Sequence, residues 1–239
     1  MQGRIPEAVG GYVLAGGKSS RMGANKALLE LGGKPLVRHA VEKLRRVCVD
    51  VRVMSHDPKL SEYAPILPDL HPECGPMGGM EAALLHSAFD WNLFLAVDMP
   101  FLPSFFIAAS LRKWLQEWKD GTGMPVRLLT VDGRPQPGFC LLHKDVVPFL
   151  SVSLGRAQFK LLPAFEAASR ELAIQHGLLP EARLWNIPLI GVTNPENGCG
   201  EDWSAMTDAQ QAAKHLWFAN LNTPEEFAEA KLHVDALDA

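Results

Sequence analysis

Strand-like apolar segments alternate with helix-like segments four times before residue 120, which leaves the chain few possible architectures. The strand candidates are Tyr12-Val13-Leu14-Ala15, "VDVRVMS" (49–55), "PILPD" (65–69) and "NLFLAVD" (92–98). Between them, Pro35 opens a helix at a position where its missing N–H costs little. Leu36, Val37, Ala40, Val41, Leu44 and Val47 form its apolar stripe, with Arg38, Glu42, Lys43 and Arg46 expected outside. A short helix near Pro58–Tyr63, a helix over "MGGMEAALLHSAF" and a long helix over "PSFFIAASLRKWLQEW" follow. Apolar strands separated by helices predict an α/β fold: a mostly parallel sheet with helices on both faces. Ligands of such sheets sit beyond the carboxyl ends of the strands. Gly16–Lys26, Asp69 and Asp98 follow the first, third and fourth strand, and are expected to converge there.

The second half is less regular. "PVRLLTVDGRPQPGFCLLHKDVV" reads as two strands around a Gly-Arg-Pro turn. "AQFKLLPAFEAA" reads as a helix interrupted or bent at Pro163, and "LWFANL" (216–221) as a strand. The last helix has the clearest start: Thr223 as N-cap, Pro224 in the first position and Glu226 completing a capping box. "TNPENGCGEDW" (193–203) is loop.

Bulk composition removes several function classes. A chain of 239 residues fits one large domain or two small ones and can bury a sizeable core. With a net charge of −4 there is no general nucleic-acid surface, so an anionic ligand must be held by a local cluster of cations and amides. No apolar run reaches the ~18 residues a membrane span needs. The stretch Ala8–Gly17 is too short for a signal, and Lys18 and Arg21 follow it at once. Cys48, Cys74, Cys140 and Cys199 form no C-x-x-C pair; their wide spacing suits free thiols in a reducing cytoplasm.

"GGKSS" (16–20) suggests an ATPase phosphate loop. That motif requires a glycine at residue 12, where the chain has Tyr12. The dinucleotide fingerprint fails as well, because Gly16 and Gly17 are adjacent. The loop still has what phosphate chemistry needs. Its glycines let backbone N–H groups approach a ligand, and Lys18, Arg21 and Lys26 can neutralise a triphosphate. It lacks a metal ligand, which Asp98 can supply, since magnesium is commonly held by one or two carboxylates plus substrate phosphates.

"LAGGKSSRMGANKALLELGGKPL", "PDLHPECGPMGGMEAAL", "LAVDMPFLP" and "ANLNTPEEF" resemble, in this order, the motifs of the molybdenum cofactor guanylyltransferases, the enzymes that make molybdopterin guanine dinucleotide. The resemblance implies a single nucleotidyltransferase domain over 1–239, a Rossmann-like sheet, GTP and molybdopterin as substrates, and Mg2+ as cofactor. Residues 10–104 would form the nucleotide half and 105–239 the acceptor half. It implies that Leu14, Ala15, Gly16 and Gly17 meet the nucleotide through their backbone, and that Arg21 and Lys26 hold the triphosphate. Asp69 would contact the nucleoside, with Gly75, Pro76 and Gly79 shaping the wall beside it. Asp98 would bind magnesium, and Asn220 and Asn222 would lie near the metal and the pterin. Lys26, Arg21 and Asp98 are thus the expected catalytic residues. Molybdoenzymes and other cofactor-biosynthesis proteins are candidate partners, nucleic acid and membrane are not, and the location is cytoplasmic.

Two departures from the family pattern stand out. Met54 and Ser55 occupy the strand end where the family usually carries asparagine, and the chain is longer than compact members near 173–215, with Trp185 and Trp203 in the added piece. Alternatives stay open: a relative using CTP or a sugar or alcohol phosphate, or a nucleotide-binding accessory protein without turnover. Cytidylyltransferases of this cofactor tend to read "LAAG", whereas Gly16 follows Ala15 here.

Overall fold

The computed structural model describes residues 7–16, 25–71, 73–131, 133–177, 186–189 and 206–238. Gly17, Lys18, Arg21, Trp185, Cys199 and Trp203 lie outside the described residues, as does most of the added piece near 173–215. The strands are β1 (Val9–Leu14), β2 (Glu30–Leu31), β3 (Lys34–Pro35), β4 (Asp50–Met54), β5 (Ile66–Leu67), β6 (Trp91–Ala96), β7 (Val126–Val131), β8 (Arg134–His143) and β9 (Asn186–Leu189). The helices are α1 (Leu36–Arg45), α2 (Pro76–His86), α3 (Ser104–Lys119), α4 (Val147–Gly155), α5 (Leu161–Gln175), α6 (Asp208–Ala212) and α7 (Pro224–Ala230).

A seven-stranded sheet has the order β5-β4-β1-β6-β8-β7-β9. β8 runs against its neighbours β6 and β7, and the other described pairings are parallel. The expected α/β sheet is therefore present, and its helices cover both faces. Successive side chains of a strand point to opposite faces, so an apolar run divides between two cores. Val9 and Val13 of β1, with Leu93 and Leu95 of β6, pack with α1 and α3. Tyr12 and Phe94 face α2, α4 and α5 on the other side, in register with each other and with rings stacked 5.4 Å apart. Among the described residues no helix is long and apolar enough to cross a membrane.

Several expectations need correction. "LWFANL" is not a strand: Lys214–Leu216 forms a 3-10 turn and a loop follows. Trp217, Phe218 and Leu221 are all buried, and Trp217 and Phe218 pack against Phe106 of α3. A short apolar run can be a buried turn as readily as a strand, and periodicity alone does not separate the two. Pro163 does not interrupt its helix. It is the third residue of α5, where the missing N–H has no intrahelical partner to lose. The polar loop after β1 contains a small ribbon, β2 with β3, turning through Gly32 (φ 58°) and Gly33 (φ 77°). Lys43, expected in solvent, is 2% exposed. Its ammonium donates to the carbonyls of Pro100 and Leu102, both at 2.7 Å, and lies 3.3 Å from the Asp238 carboxylate.

Candidate functional site

From β1 the chain steps outward to β4 and β5, then returns past β1 to β6. The strand order reverses between β1 and β6, and in sheets of this kind the ligand crevice lies at the carboxyl ends of those two strands. The pairing closes there in an orderly way. Val97 N–H donates to the Leu14 carbonyl at 3.1 Å, and Ala15 N–H to the Met54 carbonyl at 3.3 Å. Ala15 and Gly16 are the first residues beyond β1.

Lys26, Asp98 and Asn222 meet at this point. Lys26 begins a 3-10 turn, Lys26–Leu28, whose cap is Asn25. Its Nζ donates to Asp98 Oδ2 at 2.7 Å and to Asn222 Oδ1 at 2.8 Å, joining residues 72 and 196 positions apart. The Lys26 and Asp98 side chains are mostly buried, with 14% and 19% exposure. Asp98 sits in the turn after β6. Its carbonyl accepts from Leu221 N–H at 3.1 Å, and this bond brings the late segment back to the site. The expected capping box then fixes Asn222. Glu226 Oε2 accepts from the N–H groups of Asn222 at 2.5 Å and Thr223 at 2.9 Å, while Thr223 Oγ1 accepts from Glu226 N–H at 3.2 Å. Asn220 joins through its carbonyl, which accepts from Asn222 Nδ2 at 3.4 Å.

Asp69 stands at another wall, against α2. Gly75 caps that helix with φ 64° and ψ −154°, a conformation natural only to glycine, and Pro76 follows in the first turn. A Cβ at Gly79 would lie 2.8 Å from Asp69 Oδ1, so glycine makes room for the carboxylate. Burial raises the Asp69 pKa above the ordinary carboxylate value, and the charge of His56 partly opposes the shift. Gly79→Ala is expected to displace Asp69 while leaving the fold intact. A several-fold weaker affinity for the ligand of this crevice, with an unchanged melting temperature, is the measurement that checks it.

The three-residue cluster presents two hard oxygens to one cation. In the structure that cation is the Lys26 ammonium, held between Asp98 Oδ2 and Asn222 Oδ1. Among the described residues no group of three or more His, Cys, Asp or Glu side chains could hold a metal. Asp98 with Asn222 fits magnesium all the same, because that ion keeps water and substrate phosphate as most of its ligands. Asn25, Asp57 and Glu226 shape the site without having been singled out as site residues. Asn25 and Asp57 were visible as polar residues just ahead of "KAL" and "PKL", a helix-start pattern. At the position of the family asparagine, Ser55 is buried, and its hydroxyl accepts from Asp57 N–H at 3.1 Å.

The family described as "MobA-like NTP transferase domain" matches residues 11–167. The chain is 32% identical over 229 residues to the molybdenum cofactor guanylyltransferase of Vibrio cholerae, covering 94% of this chain and 92% of that one. It is 33% identical over 175 residues to the enzyme of the same name from Serratia proteamaculans, covering 70% and 84%. In fold it is similar to the molybdopterin-guanine dinucleotide biosynthesis protein A of Archaeoglobus fulgidus, with a TM-score of 0.65, 21% identity, and 95% and 100% of the two chains covered.

Proposed function

The chain belongs to the MobA-like NTP transferase family, and we infer from that membership that it is a molybdenum cofactor guanylyltransferase. It transfers GMP from GTP to the terminal phosphate of molybdopterin and releases pyrophosphate. The observation that carries this reading is the convergence of Lys26, Asp98 and Asn222 at the point where the strand order reverses.

In the reaction, an oxygen of the molybdopterin phosphate forms a bond to the α-phosphorus of GTP. The bond from that phosphorus to the β-phosphate bridging oxygen breaks, and pyrophosphate leaves with the electron pair. A phosphate monoester is already anionic at neutral pH, so no general base is required. The protein's contribution is positioning and charge neutralisation. Lys26 and Arg21 neutralise the triphosphate. The backbone of Leu14, Ala15, Gly16 and Gly17 holds the guanine nucleotide, and Asp69 contacts the nucleoside. Asp98 would hold magnesium, which when bound would neutralise charge on the phosphates. Asn222, with Asn220 beside it, faces the acceptor. Residues 10–104 thus serve the nucleotide and 105–239 the acceptor. A cytoplasmic place of action accords with Cys48, Cys74 and Cys140 being free thiols.

Pyrophosphate release tests the reading. Purified protein with magnesium, GTP and molybdopterin is expected to release pyrophosphate and form the guanine dinucleotide; CTP or ATP in place of GTP is expected to give little. Turnover with CTP but not GTP would overturn the guanylyl assignment. A thermal-shift series with the same nucleotides reads binding alone.

A further inference from the structure

We propose that the hydrogen bond between Asn25 and Asp57 is the tether that fixes Lys26 in the site, and that the tether works only as one amide facing one carboxylate. The proposal rests on the role given to Lys26 above.

Two 3-10 turns, Lys26–Leu28 and Pro58–Glu62, start at Asn25 and Asp57. Each cap side chain spends one oxygen on its own turn. Asn25 Oδ1 accepts from Ala27 N–H at 3.0 Å, and Asp57 Oδ1 accepts from Lys59 N–H at 3.0 Å. The remaining atoms face each other, and Asn25 Nδ2 donates to Asp57 Oδ2 at 2.6 Å. The two caps stand back to back. Asp57 is anchored in turn, because its N–H donates to Ser55 Oγ at 3.1 Å and Ser55 N–H donates to the Leu67 carbonyl at 3.2 Å. A continuous path runs from the β4–β5 edge of the sheet through Ser55, Asp57 and Asn25 to Lys26.

The polarity of the contact follows from the donor and acceptor inventory. One oxygen on each side chain is already committed to a backbone N–H. Two carboxylates would set charge against charge at the shared contact, and two amides would set donor against donor. A mixed pair satisfies every atom, and so does its mirror image with the carboxylate at 25 and the amide at 57. A hydrogen bond to an ionised acceptor is also shorter and stronger than a neutral one. The N–H of Lys59 and the amide of Asn25 hold the Asp57 carboxyl below the usual carboxylate range, in keeping with an ionised acceptor. The contact lies near the surface, so its main effect is on where Lys26 sits. A misplacement of about 1 Å at a reacting centre can cost about 100-fold in rate.

The swap is the test. Wild type, Asn25→Asp, Asp57→Asn and the double variant are compared in GMP transfer, with melting temperatures recorded alongside and Lys26→Ala as reference. Each single variant is expected to lower kcat by about 10- to 100-fold, with the KM for GTP changed far less. The double variant is expected to recover most of kcat, which a purely structural role for either residue would not produce. Single variants at wild-type kcat, or a double variant as slow as the slower single, would overturn the tether. If Lys26→Ala is slow while the single variants are fast, only the tether falls. Normal turnover by Lys26→Ala would remove the reading of Lys26 and the tether with it.

Discussion

Asp98→Asn is expected to lower GMP transfer on the order of 100- to 1,000-fold and to leave the melting temperature within a few degrees of wild type, an effect comparable to removing one charge-stabilising group from a preorganised site. The two halves of that expectation have separate causes. What Asp98 does for the fold is done by its backbone, whose carbonyl accepts from Leu221 N–H at 3.1 Å whatever the side chain. In Asp98→Asn the amide oxygen can still accept from Lys26, whose other acceptor, Asn222 Oδ1, is unchanged, so little stability is lost. The role proposed for it in the reaction would need the carboxylate charge, because an amide of the same shape holds a cation far more weakly. Lys26→Ala is expected to lose at least about 2 kcal/mol of transition-state stabilisation, by analogy with a lost charged donor. Pyrophosphate release measured across GTP concentrations separates that loss from a loss of binding. Near-normal turnover by Asp98→Asn would sink the assignment of the site.

How much of this was legible follows from where each signal sits in the chain. The sheet was legible because strands covered on both faces are largely apolar, and β1 and β6 are, with the buried Asn92 of β6 the polar exception. That β8 rather than β7 lies beside β6 was not, because both strands of that hairpin are buried and either edge could have joined the sheet. α4 is hidden in the sequence for the opposite reason. "VPFLSVSLG" has no polar face to set a helical period, and only Leu150 of it is buried. α6 carries a capping box, Thr207 with Gln210, whose Thr-x-x-Gln spacing is visible in the sequence. At the site, Lys26, Asp98 and Asn222 were identifiable by residue type and motif, but their contacts depend on a loop closure across most of the chain. The carbonyl of Asp98 closes that loop by accepting from Leu221, and no local pattern announces a backbone bond of that kind.

The burial of Lys43 likewise has no local signal in the sequence, and its partner carries the second large expectation. Asp238→Ala is expected to cost about 3–5 kcal/mol, the usual penalty for stranding one partner of a buried ion pair. For a chain of this size that lowers the melting temperature by roughly 10 °C. The Asp238 carboxylate lies 3.3 Å from the buried Lys43 ammonium. It also accepts from Ser104 N–H at 2.9 Å, from the Ser104 hydroxyl, and from Gln210 Nε2 at 3.1 Å. The cap position of α3 is Pro103, whose side chain makes no capping bond, so Asp238 supplies the helix cap from far along the chain. Lys43 in turn grips the carbonyls of Pro100 and Leu102, in the loop that leads from Asp98 into α3. Burial opposes the Asp238 charge, but Lys43 and the Ser104 donors outweigh it and hold its carboxyl below the ordinary value. A depressed carboxyl stabilises fully above its unfolded pKa, and the contribution is lost as pH falls through the folded one. Wild type and Asp238→Ala should therefore differ most near neutrality and converge in acid. Lys43→Met combined with Asp238→Asn keeps a cap for Ser104 and leaves no charge stranded, so it should unfold closer to wild type than Asp238→Ala does. Denaturant unfolding of the three proteins at neutral and acid pH checks both statements. A cost under about 1 kcal/mol for Asp238→Ala, in the range of an exposed ion pair, would show that solvent, not Asp238, satisfies Lys43.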